Sequence, residues 1–358
     1  MNDRLINLGV SERFIKEASH YKDLFLGRVI AQYKDLYKVA TQNTDLFGEI
    51  SGKLRYASDE ISDYPAVGDF VMIDREDELC GNAIIHHILT RKSVFIRRAA
   101  GTAHEVQVVA ANVDTIFICM SLNNDFNLRR LERYLAIAWD SGATPVIVLT
   151  KSDLCDDLPT KLAEINETAM GADLVITSSL TKDGYQAIQK YITTGQTIAF
   201  MGSSGVGKST LINRLLGEDL IITKGIRNDD KGRHATTRRE LFIVPSGGAV
   251  IDTPGMRELG IESINLSKTF SEIDEIAKSC KFNDCQHEDE PGCAIRKAIE
   301  DGSVSEERLI SYIKLKREAK YEGLNSKQIE KEKINAMYSD FGGMKNAKNY
   351  IKSKNKTK

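Results

Sequence analysis

Residues 198–216 read IAFMGSSGVGKSTLINRLL. An apolar run leads into a glycine-rich loop, and Leu and Ile then recur at helical spacing. The loop fits G-x-x-x-x-G-K-[ST] over Gly202, Ser203, Ser204, Gly205, Val206, Gly207, Lys208, Ser209 and Thr210. Its glycines let the backbone curl so that N–H groups converge on phosphate oxygens, and the following helix points its positive end at the same place. In such a loop Lys208 reaches the β- and γ-phosphates and the Ser209 hydroxyl ligates Mg2+.

The position of this loop decides the fold. Nucleotide-binding domains usually begin with it, yet residues 1–197 precede it here. Upstream, VIVLTKSDL (146–154) carries Thr150, Lys151, Ser152 and Asp153. Asp153 can accept two hydrogen bonds from guanine N1–H and the 2-amino group. Adenine offers no such pair, and sites of this kind reject the wrong partner by roughly 10⁴-fold. Lys151 can lie along the base plane. Guanine binders more often carry Asn where Thr150 stands, and the hydroxyl can still tie this loop to the phosphate loop. Ser178 and Ser179, after the next expected strand, suit a loop that meets the guanine O6.

Downstream, VIDTPG (250–255) places Asp252 at a strand end, where an aspartate holds Mg2+, and Gly255 where its N–H can bond the γ-phosphate. Between them lies KGIRNDDKGRHATTRREL (224–241). It is polar and poorly patterned, as expected of a switch segment. Thr237, with Thr236 as the alternative, suits a residue that ligates Mg2+ only with triphosphate bound. His234 has two readings: it positions the attacking water, or it is a loop histidine. Position 256 is Met, where many GTPases carry a water-orienting Gln. Unaided hydrolysis is therefore expected to be slow, with a partner completing the site.

The pieces form a full set, cyclically rotated: base loop, second base loop, phosphate loop, switch, then D-T-P-G. Termini of compact domains often lie close together, so such a permutation preserves the site. Around these motifs, strands alternate with helices. VVAANVDTIFICMSL (108–122) and ATPVIVLT (143–150) suit buried parallel strands, and NLRRLERYLAIAWDSG (127–142) suits a helix ended by Gly142. A doubly wound α/β domain follows. Residues 21–96 instead offer short strands punctuated by Gly and Asp, including LFGEISGKLRY (46–56), and predict a small OB-like β-barrel.

Farther on, CKFNDCQHEDEPGC (280–293) gives C-x₄-C-x-H-x₅-C. Cys280, Cys285, His287 and Cys293 make a closed tetrahedral zinc set with no open position, so the metal is expected to be structural. Cys80, Cys119 and Cys155 are scattered singly, which fits a reducing cytosol rather than a disulfide framework. No run of eighteen apolar residues and no secretory leader is evident, so a cytoplasmic chain without a membrane span is expected.

The net charge of −2 hides an asymmetry. From Arg308 to Lys358 there are 14 basic and 5 acidic residues, a net +9, so the remainder carries −11. A basic tail on an acidic body suggests a polyanionic partner; a solvated helix with a lysine-rich, disordered end is the plain alternative.

Taken together, GSSGVGKST, GRHATT, DTPGMRELG and CKFNDCQHEDEPGC resemble the circularly permuted ribosome small-subunit-dependent GTPases, the RsgA family. The resemblance spans nearly the whole chain. It implies a barrel over 1–106, a permuted P-loop GTPase domain over 107–262 and a zinc-binding helical module over 263–358. It also implies GTP hydrolysis stimulated by the small ribosomal subunit, a late role in maturing that subunit, rRNA binding, and His234 as a catalytic candidate beside Lys208 and Thr237. A monomer is the simplest expectation. Two departures stand out: Thr150 for Asn, and Ala235 where a third Thr is usual. A GTP-regulated binding protein, motivated by Met256, and an ATP-using P-loop enzyme are the competing readings. Asp153 opposes the second of these.

Overall fold

The structure, a computed structural model, describes residues 3–58, 60–77, 81–98, 106–169, 171–178, 184–217, 239–252, 270–282, 285–287 and 290–320. Two short helices, α1 (Asp3–Asn7) and α2 (Glu12–Ala18), precede a five-stranded barrel. Its strands are β1 (Phe25–Gln32), β2 (Tyr37–Ala40), β3 (Asp45–Ile50), β4 (Phe70–Ile73) and β5 (Ala83–Ile88). They pair in the order β1-β2-β3-β5-β4, and β4 returns to β1, which closes the barrel. Alternation along each strand turns Val29, Val39, Leu46, Val71, Ile73 and Ile85 inward as a separate core.

The barrel departs from the strand-only expectation at SGKLRY. Here the chain forms helix α3 (Gly52–Ala57), because the Ser51 hydroxyl caps it by accepting from the Leu54 N–H at 3.1 Å.

The second unit is built on parallel strands: β8 (Thr115–Ser121), β9 (Thr144–Thr150), β10 (Asp173–Ile176), β11 (Thr197–Met201) and β13 (Ala249–Asp252). Their order is β10-β9-β8-β11-β13, with β12 (Arg239–Ile243) antiparallel beside β13. Every residue of β8 is buried, as expected of a central strand covered on both faces. The stretch 108–122 is not one strand. β7 (Val106–Ala111) ends at Asn112, whose left-handed φ of 56° breaks the run, and β8 begins at Thr115. The Asn112 side chain holds that corner: its Oδ1 accepts from the Lys92 N–H and its Nδ2 donates to the Gly68 carbonyl. β7 pairs with β6 (Val94–Arg98) as a two-stranded sheet between the two units.

The two units share one sheet. β12 pairs on one side with β13 and on the other with barrel strand β1, through Ala31 with Glu240 and Gln32 with Arg239. Arg28 locks the junction from within. It is fully buried, and its guanidinium donates to the carbonyls of Leu8, Gly68 and Asn112 and to Thr197 Oγ1. Burial lowers its pKa to about 10 against the opposing pull of Asp114 and Asp69, so it stays charged at neutral pH. Gly68 packs so closely here that a Cβ would meet the Ala111 carbonyl oxygen at 2.1 Å.

Three helices follow the last strand among the described residues: Ser271–Ala277, Ala294–Glu300 and Glu306–Lys320. Arg308 fastens them to the second unit. Its Nη1 lies 3.0 Å from Glu132 on helix α4 (Leu128–Ser141), its Nε lies 2.6 Å from Glu272, and its guanidinium stacks over Phe270.

Candidate nucleotide and metal sites

Parallel strands gather their following loops at the carboxyl edge of the sheet, which is where ligands sit in open α/β folds. β11 and β13 are paired neighbours, so the loop from Gly202 and the Asp252 carboxylate leave the sheet side by side. β8 and β9 bring Asn123–Asn127 and Thr150–Asp153 to the same edge. The loop needs glycine at its first position. Gly202 has φ +147°, and a Cβ there would lie 2.4 Å from the Cys119 carbonyl oxygen. Below it the Cys119 thiol is fully buried, and burial pushes its pKa up to about 12 although Lys208 pulls the other way, so it packs and stays protonated.

Helix α5 (Lys208–Leu216) starts directly after the loop, so Ser209 and Thr210 stand in its first turn. Lys208 Nζ donates to the carbonyls of Gly202 at 2.7 Å and Ser203 at 2.6 Å. That fixes the ammonium across the mouth of the loop, where it can meet phosphate oxygens. Thr150 Oγ1 donates to the Val206 carbonyl at 2.6 Å and joins the base loop to the phosphate loop. Lys151 takes a left-handed φ of 57°, which turns the chain into the short 3₁₀ segment Ser152–Leu154. The Ser152 N–H reaches the Thr177 carbonyl, and Ser178 Oγ donates to Asp153 Oδ1. The Asp153 carboxylate is thus held by a hydroxyl on the loop after β10.

Ser179, His234, Thr236, Thr237, Gly255 and Met256 lie outside the described residues, as does the basic segment 321–358. Sequence reasoning passed over Asp125. In the loop after β8 its Oδ2 accepts from Ser203 Oγ at 2.6 Å, and its Oδ1 pairs with Arg130 at 2.9 Å. Its only sequence signal is its place just beyond the carboxyl end of a buried strand.

The second site is the cysteine cluster. One ligand atom from each of Cys280, Cys285, His287 and Cys293 lies within 4.8 Å of the others. His287 Nδ1 is 3.7 Å from Cys280 Sγ and 3.5 Å from Cys293 Sγ. These separations match the edge of a zinc tetrahedron with thiolate arms of about 2.3 Å. His287 reaches it from a left-handed φ of 64°, and Arg296 Nε holds its carbonyl at 3.0 Å. Burial holds the imidazole below its usual range, hence neutral, the form that binds metal. At Cys280 burial is the largest single influence and opposes ionisation, yet hydrogen bonds from the Ala294 and Ile295 N–H groups and from Cys285 and Cys293 together lower the thiol pKa. Burial raises the Cys285 thiol to about 11 in the absence of an ion. Three thiols and one neutral imidazole fit zinc.

The RsgA GTPase family model matches residues 88–262. A small ribosomal subunit biogenesis GTPase, RsgA 2 of Lactiplantibacillus plantarum, is 51% identical over 97% of this chain and 98% of its own length. The chain belongs to the RsgA GTPase family. The small ribosomal subunit biogenesis GTPase RsgA of Methanosarcina acetivorans is 44% identical over 92% of this chain and 90% of its own length. Among solved structures, YjeQ from Thermotoga maritima superposes with TM-score 0.62 at 27% identity, covering 83% of this chain and 98% of that one. YloQ, described as a circularly permuted GTPase, gives TM-score 0.58 at 26% identity, covering 84% and 96%. The fold of this RsgA-family chain is therefore a barrel, a circularly permuted GTPase unit and a C-terminal Cys₃His module. No described helix is long and apolar enough to cross a membrane.

Proposed function

We propose that this chain hydrolyses GTP to GDP and phosphate, that the small ribosomal subunit stimulates the reaction, and that the chain acts late in maturation of that subunit while binding its rRNA. The observation that carries the GTP half is the Thr150–Val206 hydrogen bond, because it joins a phosphate loop to a base loop whose Asp153 accepts what guanine donates. The ribosomal half rests on relatives named for small-subunit biogenesis that match over nearly the full chain.

In this reading Gly202–Thr210 wrap the phosphates, with Lys208 neutralising charge that moves to the leaving oxygen. Thr150, Lys151, Ser152, Asp153, Ser178 and Ser179 hold the base. Ser209, Thr237 and Asp252 hold Mg2+, whose role when bound is to screen the β- and γ-oxygens. Thr236 supports the switch, Gly255 senses the γ-phosphate, and His234 orients water. Cys280, Cys285, His287 and Cys293 hold one structural zinc. The proposed division is 1–106, 107–262 and 263–358, in a monomer that works in the cytoplasm.

The test is phosphate release from GTP, alone, with small subunits, and with large subunits as control. A large increase with small subunits alone is the expected result. Equal slow rates in all three would remove the ribosome-activated reading. They would favour the second reading, a GTP-regulated binding protein, for which Met256 is the motivation.

A further inference from the structure

We propose that Asp125 is a positioning residue for the phosphate loop and acts through Ser203. The inference rests on the GTPase reading and adds to it a clamp that the loop motif does not contain.

The loop Leu122–Asn127 is built to present one carboxylate oxygen. Asn123 Oδ1 accepts from Ser121 Oγ at 2.8 Å and from the Asp125 N–H at 3.1 Å, which fixes the Asp125 backbone to the end of β8. Asn127 caps α4 by accepting from the Arg130 N–H at 3.0 Å. That cap places Arg130 one turn in, where its guanidinium pairs with Asp125 Oδ1 and also donates to the Asp125 carbonyl. The Arg130 charge balances a carboxylate that would otherwise oppose a polyphosphate nearby. Oδ2 is left to accept from Ser203 Oγ at 2.6 Å. A hydroxyl donating to a carboxylate is a short, charge-assisted bond.

Ser203 supplies one of the two carbonyls that seat Lys208. The contacts therefore run from Asp125 to the Ser203 hydroxyl, and from the Ser203 carbonyl to the ammonium that meets phosphate. At the far end of the loop, Thr150 holds the Val206 carbonyl. The loop is clamped at both ends by neighbouring loops, one clamp inside the base-recognition motif and one outside it. A pre-formed loop spares the nucleotide the cost of ordering it. The clamp orders the loop before the nucleotide arrives, so its loss should raise Kd and KM, with any fall in kcat through Lys208 smaller than the rise in KM.

The experiment uses the full chain and titrates N-methylanthraniloyl-labelled GTP and GDP against wild type, Asp125→Ala, Asp125→Asn, Ser203→Ala and the Asp125→Ala/Ser203→Ala double variant. Melting curves confirm folding, and multiple-turnover hydrolysis gives KM and kcat for each variant. Wild type is measured first: failure to bind labelled GTP sinks the GTPase reading itself, separately from the clamp. Asp125→Ala and Ser203→Ala should each raise both Kd values by roughly 3- to 10-fold, as expected for one partly exposed hydrogen bond to a charged group. The double variant should be no weaker than either single variant. Asp125→Asn offers one uncharged acceptor where Ser203 and Arg130 each take one, so it should weaken binding by no more than Asp125→Ala does. Unchanged affinity in Asp125→Ala, additive losses in the double variant, or a fall in kcat with constant KM would each overturn the proposal.

Discussion

Thr150 Oγ1 and the Val206 carbonyl lie 2.6 Å apart, although 56 residues separate them in sequence. The hydroxyl is buried and donates across the junction of the two nucleotide loops. Thr150→Val keeps the side-chain shape and removes the donor. It is expected to weaken GTP binding by about 1 kcal/mol, or roughly fivefold, the usual worth of one such bond. Thr150→Asn restores a donor of the type other guanine binders use and should bind at least as tightly as wild type. Fluorescent-nucleotide titration checks both, and a Val variant with unchanged affinity would contradict the role.

In the proposed function Asp153 is the base-specific acceptor, and the Ser178 hydroxyl donates to its carboxylate. Asp153→Asn replaces one carboxylate oxygen by an amide donor. Guanine then loses its paired acceptor, whereas xanthine, with a carbonyl in place of the 2-amino group, gains a donor. Competition between GTP and XTP should reverse, with GTP affinity down by at least roughly 10²-fold. Retained GTP preference would mean that another group reads the base.

Local constraints explain what could be read from the sequence. The strand, loop and helix at 198–216 depend on neighbours within one short segment, and Gly202 at φ +147° has no substitute. The Cys₃His cluster was legible for the same reason. Long-range partners hid the rest. Arg28 lies in FLGRVIAQ and reads as a surface residue, yet it is fully buried because carbonyls from Leu8, Gly68 and Asn112 converge on it. The seam between β1 and β12 joins Gln32 to Arg239, and no local pattern encodes that pairing. In SGKLRY a single capping hydroxyl, Ser51, outweighed the strand pattern.

Arg308 sits between two carboxylates, Glu132 and Glu272, and its side chain is only 9% exposed. Removing it leaves like charges facing each other, one of them on a side chain that is 5% exposed. Arg308→Ala is expected to destabilise the docked C-terminal helices by about 3 kcal/mol. Pairing it with Glu132→Gln should recover part of that loss, because the added repulsion disappears. Urea unfolding monitored with protease cleavage within 270–320 checks the effect. Equal stability of Arg308→Ala and wild type would show that the ion pairs do not hold this module.

The zinc set makes a prediction that is separable from nucleotide binding. Elemental analysis should find one zinc per chain, absent in Cys293→Ser and after treatment with a strong chelator. Without the ion, the Cys280–Cys293 loop keeps little apolar core, so protease cleavage between residues 270 and 320 should rise sharply. Affinity for GTP should persist, because the nucleotide loops are carried by β8 to β13 and do not include these ligands. The pH dependence has a defined sign. Burial lowers the His287 pKa from its usual 6.5, so the folded module takes up its proton less readily than the unfolded chain. The His287 contribution is complete above pH 6.5 and is lost as pH falls through the lowered value. Protonation of the thiolates drives metal release in the same direction. Zinc retention that stayed constant well below that range, or GTP affinity that collapsed together with the metal, would count against a structural zinc independent of the nucleotide site.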